Sequence, residues 1–209
     1  MISIIDYDAG NIKSVEKAIQ FLGEDVRITR DKNEILEADR VIMPGVGAFG
    51  LAMEKLRSYG LEDVIHQYVS TGKPFLGICL GLQLLFDESE ESPGVKGLGL
   101  IKGKITKIPT EYKADNGNIM TQKVPQIGWN SIEINSSSRL FKGISDGSYV
   151  YFVHSYYLTA DNPDEVAAKT YYGTEIHAAV EKDNIFATQF HPEKSSDVGL
   201  KILKNFISL

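Results

Sequence analysis

The chain of 209 residues contains a single cysteine, Cys79, so no intramolecular disulfide can form, and no Cys/His cluster has the spacing of zinc ligands. Disulfide and metal scaffolds are excluded, and nothing in the composition requires a cofactor or a metal. Basic charge is scarce: 22 Lys+Arg against 28 Asp+Glu leave a net charge of −6, without the positive surface that DNA, RNA or anionic lipid demands. Neither nucleic acid nor a membrane is an expected partner. Long apolar runs are also missing, because Phe75 to Phe86, about twelve residues interrupted by Gln83, Gly77 and Gly81, is too short for a bilayer. The first acid, Asp6, comes too early for a secretory leader, so a cytoplasmic protein is expected.

What remains is an ordinary globular composition, 43% hydrophobic and 24% charged, long enough to bury a sizeable core. The first ninety residues alternate short β-branched runs with helical periodicity, the pattern of βαβ units that build a parallel sheet covered on both faces. Ile2–Ile5 reads as the first strand, and Ile12, Val15, Ile19 and Leu22 form one helical stripe ended by Gly23. Strands are expected at 25–29, 40–43 and 74–78, with helices at 33–38, 49–59, 61–69 and 80–87. After Ser92 turn signals multiply, notably Asp115-Asn116-Gly117-Asn118 and Asn135-Ser136-Ser137-Ser138, and mark antiparallel hairpins. Further strands are expected at 100–108, 131–134, 149–154, 165–171, 176–181 and 185–190, then a closing helix at 197–207. The fold class is therefore α/β, a mostly parallel central sheet flanked by helices with an added antiparallel hairpin region. No linker or repeat divides it, so one domain over residues 1–209 is expected.

The sharpest chemical signal is Gly77-Ile78-Cys79-Leu80-Gly81, where an apolar strand turns abruptly into a helix. It has the form of a nucleophile elbow with a thiol at its apex, the flanking glycines giving room for a strained turn. A helix N-terminus just beyond Cys79 favours a thiolate, and the Leu80 N–H is a natural oxyanion donor. Against this stands the ordinary fate of a lone cysteine as a small buried hydrophobe. A thiol nucleophile needs a base, and four histidines compete. His66 falls in a helix and His177 in a strand. His154 ends the strand Tyr149–His154 and remains a candidate. His191 is the better one, because Glu193 two residues on projects to the same side of an extended segment and can fix its tautomer.

Gly45-Val46-Gly47-Ala48-Phe49-Gly50 imitates a dinucleotide-binding loop but follows the third strand instead of the first, with no acid placed for a ribose. Beside the elbow, its Val46 and Gly47 backbone is better suited to supply a second oxyanion donor.

These segments together resemble the class I glutamine amidotransferases, through Pro44-Gly45-Val46-Gly47, Gly77 to Gln83 and Phe190-His191-Pro192-Glu193-Lys194-Ser195. Within that family Asp6-Tyr7-Asp8-Ala9-Gly10-Asn11, Pro125-Gln126-Ile127-Gly128-Trp129-Asn130 and Tyr151 to Tyr156 are similar to glutaminase subunits that serve a (β/α)8-barrel cyclase in histidine biosynthesis. Asp8 stands where a glycine is frequent in them and Gln126 where a histidine is frequent. The resemblance implies a Cys79-His191-Glu193 triad that releases ammonia from L-glutamine through a glutamyl thioester. It implies glutamine contacts at Gly47, Gln83, His154, Ser155 and Tyr156, which gives His154 a binding role. It further implies a heterodimer with the cyclase through Asn11, Trp129, Asn130, Tyr151 and Lys194. The alternatives are a stand-alone cysteine hydrolase of related fold, a glutaminase of a paralogous pathway, and an interaction module with an inert thiol.

Overall fold

The computed structural model describes residues 1–114 and 116–209. Strand β1 (Ile2–Ile5) leads through helix α1 (Ile12–Phe21) to β2 (Val26–Thr29), then α2 (Lys32–Glu37), β3 (Arg40–Gly45), the helices α3 (Phe49–Ser58) and α4 (Leu61–Ser70), β4 (Phe75–Cys79) and the single turn α5 (Leu80–Gln83). Short strands follow: β5 (Gly103–Lys107), β6 (Glu111–Lys113), β7 (Ile119–Thr121), β8 (Gln126–Ser131) and β9 (Glu133–Ile134). The last third holds β10 (Tyr149–His154), β11 (Tyr156–Ala160), β12 (Val166–Tyr171), β13 (Glu175–Lys182), β14 (Ile185–Thr188) and the closing helix α6 (Ser196–Ile207).

One eight-stranded sheet runs in the order β2-β1-β3-β4-β14-β13-β12-β9. The pairs from β2 through β14 are parallel and the remaining ones antiparallel. Every residue of β1 and of β4 is buried, as strands covered on both faces require. The covering is divided: Ile35, Met53, Leu56 and Ile65 of α2–α4 pack one face. Val15 and Ile19 of α1 with Ile202, Leu203 and Phe206 of α6 pack the other. Three small two-stranded sheets, β10-β8, β11-β5 and β6-β7, form the hairpin region. Asp115 of the expected turn at 115–118 lies outside the described residues. That turn is closed by the Gly117 N–H donating to Ala114 O at 2.8 Å and the Ala114 N–H to Asn118 O at 2.9 Å.

One expected helix is much shorter. Leu80–Asp87 stops at Gln83 because the Leu85 and Phe86 N–H groups turn to Leu82 O and Gln83 O, three residues back, and the carbonyls beyond are then taken by a returning segment. Leu84 O accepts from Leu98 N–H, Leu85 O from Leu100 and Ile101, and Phe86 O from Gly99. Apolar periodicity in Leu82, Leu84, Leu85 and Phe86 reflected burial on several sides and not a continuing helix. Of β8 only Ser131 falls in an expected strand, and β11 falls in none.

Both faces must be sealed for the buried strands to persist. Phe206 is fully buried and meets Phe186 edge-on, with ring centroids 6.1 Å apart. Phe206→Ala is expected to cost roughly 3–5 kcal/mol in urea unfolding. A change under about 1 kcal/mol would mean that α6 does not seal that face.

Candidate active site

The carboxyl ends of β3, β4 and β14 lie side by side, the edge at which open α/β sheets place their ligands. β4 pairs with β3 so that Cys79 stands opposite Gly45, and with β14 so that Ile78 stands opposite Thr188. His191 therefore emerges beside Cys79 although far from it in sequence. Cys79 has φ 55° and ψ −107°, a conformation that costs a non-glycine residue on the order of 1–3 kcal/mol. The glycines around it make the bend feasible. A Cβ on Gly81 would stand 1.8 Å from Met43 O, and one on Gly77 would stand 2.8 Å from Gly81 O. Because α5 is a single turn, it presents the Leu80 N–H with far less macrodipole than an eight-residue helix would give.

His191 is fully buried and its Nδ1–H donates to Glu193 Oε1 at 2.7 Å. Asn11 Nδ2 donates to the same oxygen at 2.6 Å. Burial works against charge on the imidazole, but the Cys79 thiol and the Glu193 carboxylate outweigh it and push His191 up to about 9. Its Nε2 is buried with no hydrogen-bond partner of ordinary geometry, which leaves that nitrogen to the thiol and to whatever binds next to it. Glu193 has no exposed side-chain surface.

Cys79, Val46, Gly47, Leu80 and Gln83 line a cavity of about 280 Å³, closed on the other side by Val153, His154, Ser155, Tyr156, Pro125 and Glu91. The three oxyanion candidates and the five glutamine-contact candidates thus converge on one space. Tyr7, fully buried, donates its phenol to Pro44 O at 2.7 Å and so fixes the peptide from which the Gly45–Gly47 turn departs. Burial, then the neighbouring Cys79, push this phenol well above its ordinary range, so it stays a donor. The resemblance of residues 45–50 to a dinucleotide loop ends at the helix N-terminus. The Phe49 N–H already donates to Glu91 Oε2 at 2.7 Å, and the Gly50 N–H to Ser92 Oγ at 3.0 Å.

His154 takes the opposite charge state to His191. Burial lowers it to about 4, with the backbone carbonyl of Tyr156 opposing and His191 assisting. Tyr156 O can only accept, so the proton sits on Nδ1, 2.9 Å away. Nε2 is then an acceptor, and because Gln126 Oε1 stands 3.0 Å from it, the neutral ring requires the Gln126 amide to turn over and present its NH2 there. Gln126, one of the two departures noted in the sequence, is therefore wired to the cavity wall. The other, Asp8, adopts φ 62° and accepts from Arg30, Lys55 and Tyr59, which hold its carboxylate far below the ordinary range. Side-chain hydrogen bonds, from Tyr59 first and then Arg30 and Lys55, are the main cause.

His66 is exposed on α4, and His177 accepts the Ala160 N–H at 2.9 Å, so neither enters the cavity. Of the partner-contact candidates, Trp129 is 52% exposed and meets Tyr151 edge-on at 6.0 Å, while Lys194 is exposed. Asn130 is committed within the chain, donating to Tyr171 O and accepting from the Ser131 N–H. Asn11 reaches the carboxylate of Glu193, a contact the sequence did not disclose. Glu91 was also missed, and no local signal separates it from the acids around it. Among the described residues no group of three His, Cys, Asp or Glu is arranged to hold a metal.

The profile of the class-I glutamine amidotransferases matches residues 3–209, and the chain belongs to that family. The imidazole glycerol phosphate synthase subunit HisH of Methanocaldococcus jannaschii is 50% identical over 211 residues, covering 100% of each chain. The protein of the same name from Caldanaerobacter subterraneus subsp. tengcongensis is 49% identical over 206 residues, covering 99% of this chain and 97% of that one. A crystal structure described as a glutamine amidotransferase has the same fold, with a TM-score of 0.75 at 19% identity, covering 99% and 97% of the two chains.

Removing the sulfur tests the electrostatics directly. In Cys79→Ala the imidazole keeps its burial and loses a group that sustains its charge, so His191 is expected to titrate below about 9, as read from its ring ¹⁵N shifts. Because its folded value exceeds the ordinary 6.5, proton uptake by His191 favours the fold below pH 6.5, and this contribution fades as pH climbs through 9. An unchanged titration in the variant would show that Cys79 does not hold the charge.

Proposed function

We propose that the chain is the glutaminase subunit of an imidazole glycerol phosphate synthase, hydrolysing L-glutamine and delivering ammonia to a cyclase subunit for histidine biosynthesis. The observation that carries this reading is the strained Cys79 at the cavity wall beside a histidine whose charge is sustained by that thiol and by Glu193. Family membership and full-length relatives of that name support it.

In this mechanism the Cys79 sulfur attacks the side-chain amide carbon of glutamine. The C–S bond forms and the carbonyl electron pair moves to oxygen, met by N–H groups of Leu80 and of the Val46–Gly47 turn. His191 Nε2–H protonates the departing nitrogen as the C–N bond breaks, leaving ammonia and a glutamyl thioester. Water then attacks the thioester carbon, His191 takes its proton, and the sulfur leaves as glutamate forms. Glu193, through Nδ1, keeps the imidazole oriented.

Recognition follows from the cavity wall. Gln83 spends its NH2 on Tyr156 O and Gln189 Oε1, which leaves its own oxygen for the substrate's α-ammonium. Glu91 is the carboxylate in the wall and reinforces that choice of charge. The glutamine contacts are thus Gly47, Gln83, His154, Ser155 and Tyr156 with Glu91 added.

Free ammonia is mostly protonated near neutral pH and cannot then act as a nucleophile, so a dry route into a docked partner preserves it. The face opposite the packed side of β8 and β10 suits such docking. Trp129 pairs across the strands with Tyr151, and Ile127, 63% exposed, pairs with Val153. We assign the (β/α)8-barrel cyclase of a heterodimer to this face, with Asn11, Asn130 and Lys194 at its margins. The whole chain acts as one glutaminase domain in the cytoplasm.

Cys79→Ala is expected to lower glutamine-dependent synthesis by at least roughly a thousandfold while ammonia-dependent synthesis by the cyclase continues. Loss of both activities would assign Cys79 a structural role, and retention of both would end the thioester mechanism. Glu193→Gln is expected to cost less than Cys79→Ala. Trp129→Ala is expected to weaken binding of the cyclase by about 2 kcal/mol or more in titration calorimetry. Wild-type affinity in that variant would move the interface elsewhere.

A further inference from the structure

Gln189 is fully buried between Cys79 and Gln83, and no step above uses it. A backbone carbonyl dictates which way its amide faces. Tyr156 O can only accept, so the Gln83 atom 3.1 Å from it is Nε2. That nitrogen also lies 3.0 Å from Gln189, which must answer with Oε1. The remaining Gln189 Nε2 faces Cys79 Sγ at 3.7 Å. Reversing the amide would set two NH2 groups against each other and aim an oxygen at the sulfur. The main chain of Gln189 is pinned as well, its N–H donating to Ala178 O at 2.8 Å.

A neutral thiol gains little from an N–H at that distance, whereas a thiolate is a strong acceptor of it. Apart from His191 Nε2, the other polar contact of the sulfur among the described residues is with Val153 O at 3.9 Å, an acceptor that helps only the protonated form. Beside the His191 imidazolium, Gln189 is thus a neutral side-chain donor whose interaction with the sulfur grows as charge develops there.

We propose, on the glutaminase reading above, that Gln189 is a further catalytic residue, its Nε2–H donating to the Cys79 thiolate, with Gln83 as the positioning residue that holds the amide in that orientation. The bond is strong while the sulfur carries charge before attack. It weakens once the C–S bond has formed and returns when water expels the sulfur from the thioester. Gln83 also lines the cavity, so the group that senses the substrate is the one that orients the donor.

The test is the pH dependence of iodoacetamide alkylation of the full chain, whose single cysteine gives a single signal. Gln189→Met fills similar volume without a donor. Its alkylation profile is expected to move to higher pH by about one unit, with kcat for glutamine in the cyclase complex down about tenfold and KM within about threefold. Gln189→Glu keeps an oxygen for Gln83 and sets the second oxygen at the sulfur, so its deficit is expected to exceed that of Gln189→Met and to deepen as pH rises. Unfolding curves are recorded for both, and the glutamate variant, which preserves the partner of Gln83, decides the matter if the methionine variant does not fold. Wild-type profiles in the folded variants would overturn the proposal. A wild-type chain that releases no glutamate would instead defeat the glutaminase reading, while the alkylation profiles would still decide whether Gln189 serves the sulfur.

Discussion

A cysteine at φ 55° and ψ −107° survives only where its surroundings leave the chain no better path. Here the path is set by the approach of Gly81 to the carbonyl of Met43, so close that no side chain fits between the elbow and β3. The pairing of Gly45 with Cys79 then brings the Pro44–Gly47 turn alongside the sulfur, and the pairing of β4 with β14 brings His191. Remove that backbone approach and Cys79, the Pro44–Gly47 turn and His191 no longer share an edge.

Electrostatics adds a second layer on this frame. Two buried imidazoles stand near one cavity in opposite charge states, His191 up to about 9 and His154 down to about 4. Burial penalises both. The difference lies in the neighbours, a carboxylate and a thiol for His191 against a carbonyl and an amide for His154. Such divergence suits one ring to moving protons and the other to holding shape.

The exposed aromatic face and the cavity share a strand. Tyr151, paired with Trp129 on β8, accepts the His191 N–H through its carbonyl at 2.9 Å and donates its own N–H to Ser195 Oγ at 2.9 Å. Ser195 in turn donates to His191 O at 2.7 Å. Any displacement of β10 is therefore felt at His191 without passing through a flexible loop.

The α/β class, the parallel strands and the elbow were legible in the sequence because each rests on local rules: alternation, periodicity, and glycines on either side of a cysteine. His191 with Glu193 was legible for the same reason, as neighbours two apart on an extended segment. The same spacing places Gln189 on the side of His191, yet its partners, Cys79 and Gln83, come from another strand and turn. Helix length after Cys79 failed because apolar periodicity cannot tell a helix from a turn buried on all sides. Asn11 on Glu193, Gln126 on His154 and Tyr7 on Pro44 are contacts across the sheet, and hydrogen-bond partners far apart in the chain leave no local pattern. Sequence alone thus determined which residue types stand in short reactive patterns, since those patterns are local. Only the tertiary structure decided their charge states and orientation, because burial and distant partners set both.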